Sequence, residues 1–140
     1  MMAMNGFRRL LSDLRGNAVI EFGILAPVLF TMLLGGVEFG RMFYVRQGLE
    51  GATEAAARYY MLNPGFTQSV VTTYLRSQML GGMGSGIAVG YADTTNCNSN
   101  SNATCTMITA TYTFTFVAAY LGLGTRIMTA KAQAVRQTGG

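Results

Sequence analysis

Glu21 is the single ionisable residue in a 20-residue apolar run, Ala18 to Val37. About 20 such residues, rising 1.5 Å each, cover a hydrocarbon core of about 30 Å. A carboxylate in such a run costs several kcal/mol at the bilayer centre and less near an interface, so it calls for a functional reason. Five residues before Glu21 stands Gly16, flanked by Arg15 and Asn17. Few other groups could do chemistry. Asp13, Glu38, Glu50, Glu54 and Asp93 are scattered, with no pair placed to share proton-transfer work. There is no histidine, which excludes a Ser/His/Asp triad and a histidine-based zinc site. Lys131, the only lysine, falls in an alternating stretch where a solvated strand face accounts for it. The chain reads as a non-enzyme that needs no cofactor.

The net charge of +4 is distributed against nucleic-acid binding, because no basic cluster with interleaved aromatics occurs. Arg8, Arg9 and Arg15 outweigh Asp13 before the apolar run, whereas Glu38, Arg41, Arg46, Glu50, Glu54 and Arg58 balance after it. By the positive-inside rule the N-terminus stays in the cytoplasm and everything beyond Val37 is translocated. A cleaved secretory signal fits less well. The run exceeds a usual apolar core of about 7–15 residues, and no small-residue cleavage site closes it. An ordinary signal-anchor helix is the stronger competitor, and it leaves the placement of Gly16 and Glu21 to coincidence.

Gly16 followed by Asn17 to Glu21 and Phe22 resembles the prepilins that are cleaved after a leader glycine and carry glutamate at mature position five. The continuation, Glu21 to Leu29 and then Gly35-Gly36-Val37-Glu38-Phe39-Gly40-Arg41, resembles the TadE-like pseudopilins of tight-adherence (Flp-type) pili. The likeness runs to Ala55-Ala56-Ala57-Arg58 and covers about residues 14 to 58. It implies a leader of residues 1–16, a long helix over residues 17–62 embedded in the membrane to about residue 37, and a small periplasmic α+β domain over residues 63–140. It also implies a bacterial inner-membrane location with one span, a prepilin peptidase acting at Gly16 and Asn17, and assembly roles for Glu21 and Phe22. The partners implied are other pilins, the inner-membrane pilus machinery and lipid, with the extracellular pilus as a further destination.

The residues themselves extend the helix past the membrane. Glu38 to Leu62 holds no proline, and Met42, Val45, Leu49, Ala52 and Ala56 form one apolar stripe at three- and four-residue spacing. Glu54 and Arg58 are spaced for an ion pair on one face. Pro27 removes one N–H and predicts a kink or unwinding near Gly23. Gly36 and Gly40 have G-x-x-x-G spacing, followed by Gly48, Gly51, Ala52 and Ala55, which would allow close helix packing; with 18 glycines in the chain, chance spacing is the alternative.

Asn63-Pro64-Gly65 ends the helix. A second, short helix is expected from a Thr67 cap through Val70, Val71, Tyr74, Leu75, Gln78 and Met79, stopped by Gly81-Gly82. The run Gly81 to Gly86 reads as a flexible linker. Beyond it the period becomes two. Ile87, Val89 and Tyr91 predict a first strand, and Ile108, Ala110, Tyr112, Phe114 and Phe116 alternate with threonines in the clearest strand of the chain. Met128, Ala130, Ala132 and Ala134 alternate in a third, although its alanines also suit a helix. A small sheet with one apolar face needs a cover, and the Met42–Ala56 stripe is available. Cys97 and Cys105 flank seven polar residues between two expected strands. Translocation to an oxidising compartment favours a disulfide there over a metal site of two thiols. The expected architecture is a pilin-like α+β fold with a long N-terminal transmembrane helix, a short second helix and about three antiparallel strands. Its work would be lateral helix packing, as a pseudopilin or minor pilin. The alternative is a single-pass, membrane-anchored periplasmic binding or sensor module.

Overall fold

The computed structural model describes residues 14–95, 97, 102–117, 122 and 124–137. Most of the expected leader and the loop Asn98–Ser101 lie outside the described residues. The element order is α1 (Leu14–Leu62), α2 (Gln68–Gln78), a 3₁₀ segment (Leu80–Gly86), β1 (Ile87–Thr95), β2 (Ala103–Thr115) and β3 (Thr125–Gln137). The chain divides into two units, Met1–Phe39 and Gly40–Gly140.

In the first unit the described residues are helical throughout, with apolar side chains from Val19 to Val37 turned to the surroundings. The unwinding expected near Gly23 is absent, since α-helix continues through Pro27 from Leu14 to Leu62. Proline removes one bond from the ladder, and the turns on either side remain bonded. The Pro27 carbonyl also accepts a 2.7 Å hydrogen bond from Thr31 Oγ1. The helix begins three residues earlier than the expected Asn17, so Gly16 and Asn17 lie within its first turns.

In the second unit the expected stripe is buried. Val45, Leu49, Ala52 and Ala56 share one core with Ala57, Tyr60, Val71, Leu75, Ile87, Ile108, Ala110, Phe114, Met128, Ala130 and Ala134, and Met42 packs at its edge. The sheet is an antiparallel meander in the order β1-β2-β3. Register explains its two faces. Ile87 pairs with Tyr112, Val89 with Ala110 and Tyr91 with Ile108, while Met128, Ala130 and Ala132 continue those rows on β3 and Ala134 pairs with Thr106 in the next. A period of two puts all of them on one side. Residues 126–136 are strand, not helix: pairing with β2 along the whole of β3 outweighs the helical preference of its alanines. Those alanines are buried in the core they share with Ala52, Ala56 and Ala57 of α1.

The expected short second helix forms from Thr67 at its N-cap, without a side-chain bond, and buries Val71 and Leu75. Two expectations need correction. Arg46 pairs with Glu50 at 3.0 Å, while Glu54 and Arg58 form no ion pair among the described residues; exposed pairs of this kind gain only a few tenths of a kcal/mol over hydration. The glycine run is not a flexible linker but the ordered segment Leu80–Gly86. Gly81 and Gly82 hold φ of 72° and 73°, a region that costs other residues. Gly84 is buried, and a Cβ there would stand 2.2 Å from the Arg76 carbonyl oxygen.

Gly84→Ala should therefore destabilise the protein by several kcal/mol or force α2 off the sheet, because backbone sits where the methyl would go. Gly82→Ala has open space around it and should cost about 1 kcal/mol of backbone strain. Thermal unfolding of the full chain, followed by circular dichroism, should rank Gly84→Ala well below Gly82→Ala.

Candidate processing and helix-packing site

Glu21 and Phe22 lie in the second and third turns of α1, and both are exposed. Four residues separate Asn17 from Glu21, a rise of about 6 Å, which places them on one face. A cut after Gly16 would leave a new amine on that face, within reach of a carboxylate of its own or a neighbouring helix. Glycine is suited to such a cut, having no side chain to clash in a narrow protease site.

Gly36 and Gly40 stand one turn apart, and a Cβ on either would meet nothing within 4 Å. The strip is thus open to another helix. Glu38 differs from its neighbours: although at the end of the apolar run, it is buried. Counting ionisable residues along the sequence lists Glu38 but gives no sign of its burial.

Outside the helix, the Cys97–Cys105 disulfide is formed, with Cα atoms 5.8 Å apart. It closes the β1–β2 hairpin next to the Thr94–Cys105 pair, and Cys105 and Thr106 are both buried there. Thr106 donates to Asp93 at 2.5 Å, fixing the one carboxylate of the sheet. Sequence reasoning missed the arginines that tie α1 to the sheet. Arg41 donates to the Thr115 carbonyl at 2.9 Å and stacks over Phe114 at 4.7 Å. Arg136 lies 4.4 Å over Tyr60 and donates to the Pro64 carbonyl. Nothing in the local sequence marks these residues, since their partners lie 74 and 72 positions away. Arg76 likewise reaches the Ile87 carbonyl at 3.0 Å. Tyr91 fastens β1 to α2, donating to the Gln68 carbonyl and lying 2.9 Å from Thr72 Oγ1. Burial of its ring raises the phenol above its ordinary value, against the opposing effect of the Thr72 hydrogen bond.

Among the described residues no three potential metal ligands cluster. One helix is long and apolar enough to cross a membrane, and it leads into a small disulfide-closed α+β unit. Residues 16–58 match the family model of the TadE-like proteins, so this part of the chain is TadE-like, consistent with a TadE-like protein of the Tad pilus system. The match opens on Gly16, includes Glu21, Gly36 and Gly40, and closes at Arg58. No curated protein and no solved structure matches the chain.

Two outcomes follow from the links on the sheet. Replacing Cys97 and Cys105 together with serine should lower stability by roughly 2–3 kcal/mol, the loop entropy of so short a ring, without preventing membrane insertion. Thermal melts and carbonate extraction would check the two parts. A raised phenol favours the folded state while neutral, so the Tyr91 contribution is intact below about pH 10 and is lost as pH rises through the folded value. Tyr91→Phe should be less stable than wild type at pH 8, and its stability should fall less steeply in alkaline titrations.

Proposed function

We propose that this protein is a pseudopilin or minor pilin of a Tad/Flp-type adhesive pilus, cleaved after Gly16 by a prepilin peptidase and used in assembling or priming the filament. The observation that carries the reading is the position of Gly16 and Glu21 at the mouth of an exposed apolar helix inside the TadE-like match. The protein would sit in the bacterial inner membrane through one span, with its arginine-rich N-terminus cytoplasmic and the sheet periplasmic. The disulfide supports that side, since thiols stay reduced in the cytosol. Partners would be other pilins and the inner-membrane machinery, and the open Gly36–Gly40 strip supplies a packing surface.

The chemistry is that of register. Once Asn17 bears an α-amine, the Glu21 carboxylate of a neighbouring subunit can pair with it, and a charge pair buried in lipid or protein fixes the axial position of one helix against the next. Breaking such a pair leaves an uncompensated charge and costs more than removing both groups. The size of the C-terminal unit favours a minor component over a major pilin that is little more than a helix.

N-terminal sequencing of the mature protein should begin at Asn17, and Gly16→Leu should leave the precursor uncut. A mature chain that keeps Met1 would instead mark a signal-anchored module and end the pilin reading. Glu21→Ala should still be inserted and cleaved, yet should fail to co-purify with pilus partners and reduce piliation at least tenfold. Wild-type piliation by that variant would make Glu21 a tolerated interfacial carboxylate.

A further inference from the structure

Strand β3 closes the order β1-β2-β3, so one of its edges is free, and it is 13 residues long against 9 in β1. Which groups point outward along that edge follows from the bonds that are made. The Phe116 N–H donates to the Gly124 carbonyl at 3.3 Å, and bonded pairs of an antiparallel ladder recur at every second residue. In the β2–β3 register the bonded partners on β3 are therefore Arg126, Met128, Ala130, Ala132, Ala134 and Arg136. The N–H and C=O groups of Ile127, Thr129, Lys131, Gln133 and Val135 face away from β2. The other side of the sheet agrees. The Ile87 N–H goes to the Gly84 carbonyl and its own carbonyl accepts from Arg76, so β2 turns the alternate residues Thr109 and Thr111 to β1. Among the described residues no bond outside the ladder reaches the outward groups of β3 from Ile127 to Val135.

Beside this edge runs an open groove of about 370 Å³, between Ala57, Arg58 and Met61 of α1 and Lys131 to Gln133 of β3. A strand added to an edge uses both kinds of feature: its backbone pairs with the free groups, and alternate side chains fill pockets alongside. Charge is sparse here. The period of two places Lys131 on the outer face, in a row with Thr109 and Gly90, and among the described residues it is the only charged side chain on that face. Arg126, Arg136 and Asp93 belong to the inner face. The groove itself adds one carboxylate, Glu54, and one cation, Arg58.

We propose that the free edge of β3 is a strand-addition site for an extended segment of a partner protein, acidic on one face and apolar on the other. The carboxylates share the outer face with Lys131, and the apolar side chains enter the groove over Ala57 and Met61. A second copy of this chain fits poorly. Full overlap of two β3 strands, in either direction, sets Lys131 against Lys131 and the arginines against each other, and like charges directly opposed destabilise a sheet. The β1 edge of a second copy has the Ile87 groups already taken, and its outer face of Ala88, Gly90, Ala92 and Thr94 brings no carboxylate to Lys131. Its Asp93 is bonded to Thr106 on the inner face. A lysine on an edge strand discourages pairing between like chains and leaves the edge open to an opposite charge. The inference concerns the second unit alone and is independent of cleavage at Gly16.

Full-length protein in neutral detergent micelles would be titrated with two short synthetic peptides, one alternating valine with glutamate and the other valine with lysine. The glutamate peptide should bind at least tenfold more tightly by fluorescence anisotropy. It should also slow amide exchange at least tenfold at Thr129, Lys131, Gln133 and Val135, read by NMR, while the ladder amides of Ala130, Ala132 and Ala134 stay as they were. Gln133→Pro removes an outward donor without touching the β2–β3 ladder and should weaken the glutamate peptide at least tenfold. Lys131→Glu should reverse the preference between the peptides, a readout that stands even if the proline variant fails to fold. Equal binding of the two peptides, or binding that leaves the outward amides unprotected, overturns the proposal. Protection of those amides that grows with protein concentration in the absence of peptide assigns the edge to a second copy and overturns it as well.

Discussion

The contact between the water-exposed half of α1 and the inner face of the sheet is the constraint on which the rest of the second unit depends. Three strands with one apolar face do not hold together alone in water, and an isolated amphipathic helix is only marginally stable. Each supplies what the other lacks. Val45, Leu49, Ala52 and Ala56 are nearly inaccessible, as are Ile108, Ala110 and Ala134 opposite them in the same core. The arginines over Phe114 and Tyr60 then clamp the two ends, where the apolar overlap runs out.

That arrangement was legible in the sequence wherever a periodicity carried it. The three- and four-residue spacing of Met42 to Ala56 and the alternation of Ile108 to Phe116 each mark a buried face, so the cover of the sheet could be inferred without coordinates. Strand β3 was ambiguous because alanine suits a helix in isolation, and only its pairing partner decides. Pattern fails altogether for contacts between residues far apart in sequence. No local feature distinguishes Arg41 or Arg136 from solvated arginines, and none sets Tyr91 apart from the other tyrosines.

The glycine run shows a different limit. Composition reads Gly81 to Gly86 as slack, since glycine is the residue of flexible linkers. The same lack of a Cβ also permits positive φ and the closest backbone approach, and both are used here, at Gly81–Gly82 and at Gly84. Which property a glycine serves depends on what stands next to it. The expected Glu54–Arg58 pair failed for a related reason: at an exposed site water competes on nearly equal terms, so spacing alone does not select a partner.

The candidate site is the part of the molecule with the most exposed apolar surface. From Val19 to Val37 the side chains are exposed, the Gly36–Gly40 strip is open, and Glu21 stands near the start of the run. A packed domain buries such a surface against itself, whereas on the pilin reading this helix would offer it to lipid or to other helices. Lipid satisfies the apolar side chains as well as a protein neighbour does, so apolar contact alone gives little reason to exchange one for the other. The exchange must be driven by what lipid provides poorly: close backbone packing at small residues and a counter-charge for a carboxylate. On the pilin reading those are the two features at which this helix departs from a plain anchor, and both would act only after cleavage creates the amine at Asn17. Processing would then do more than trim the chain, because it would supply the charge that makes assembly directional.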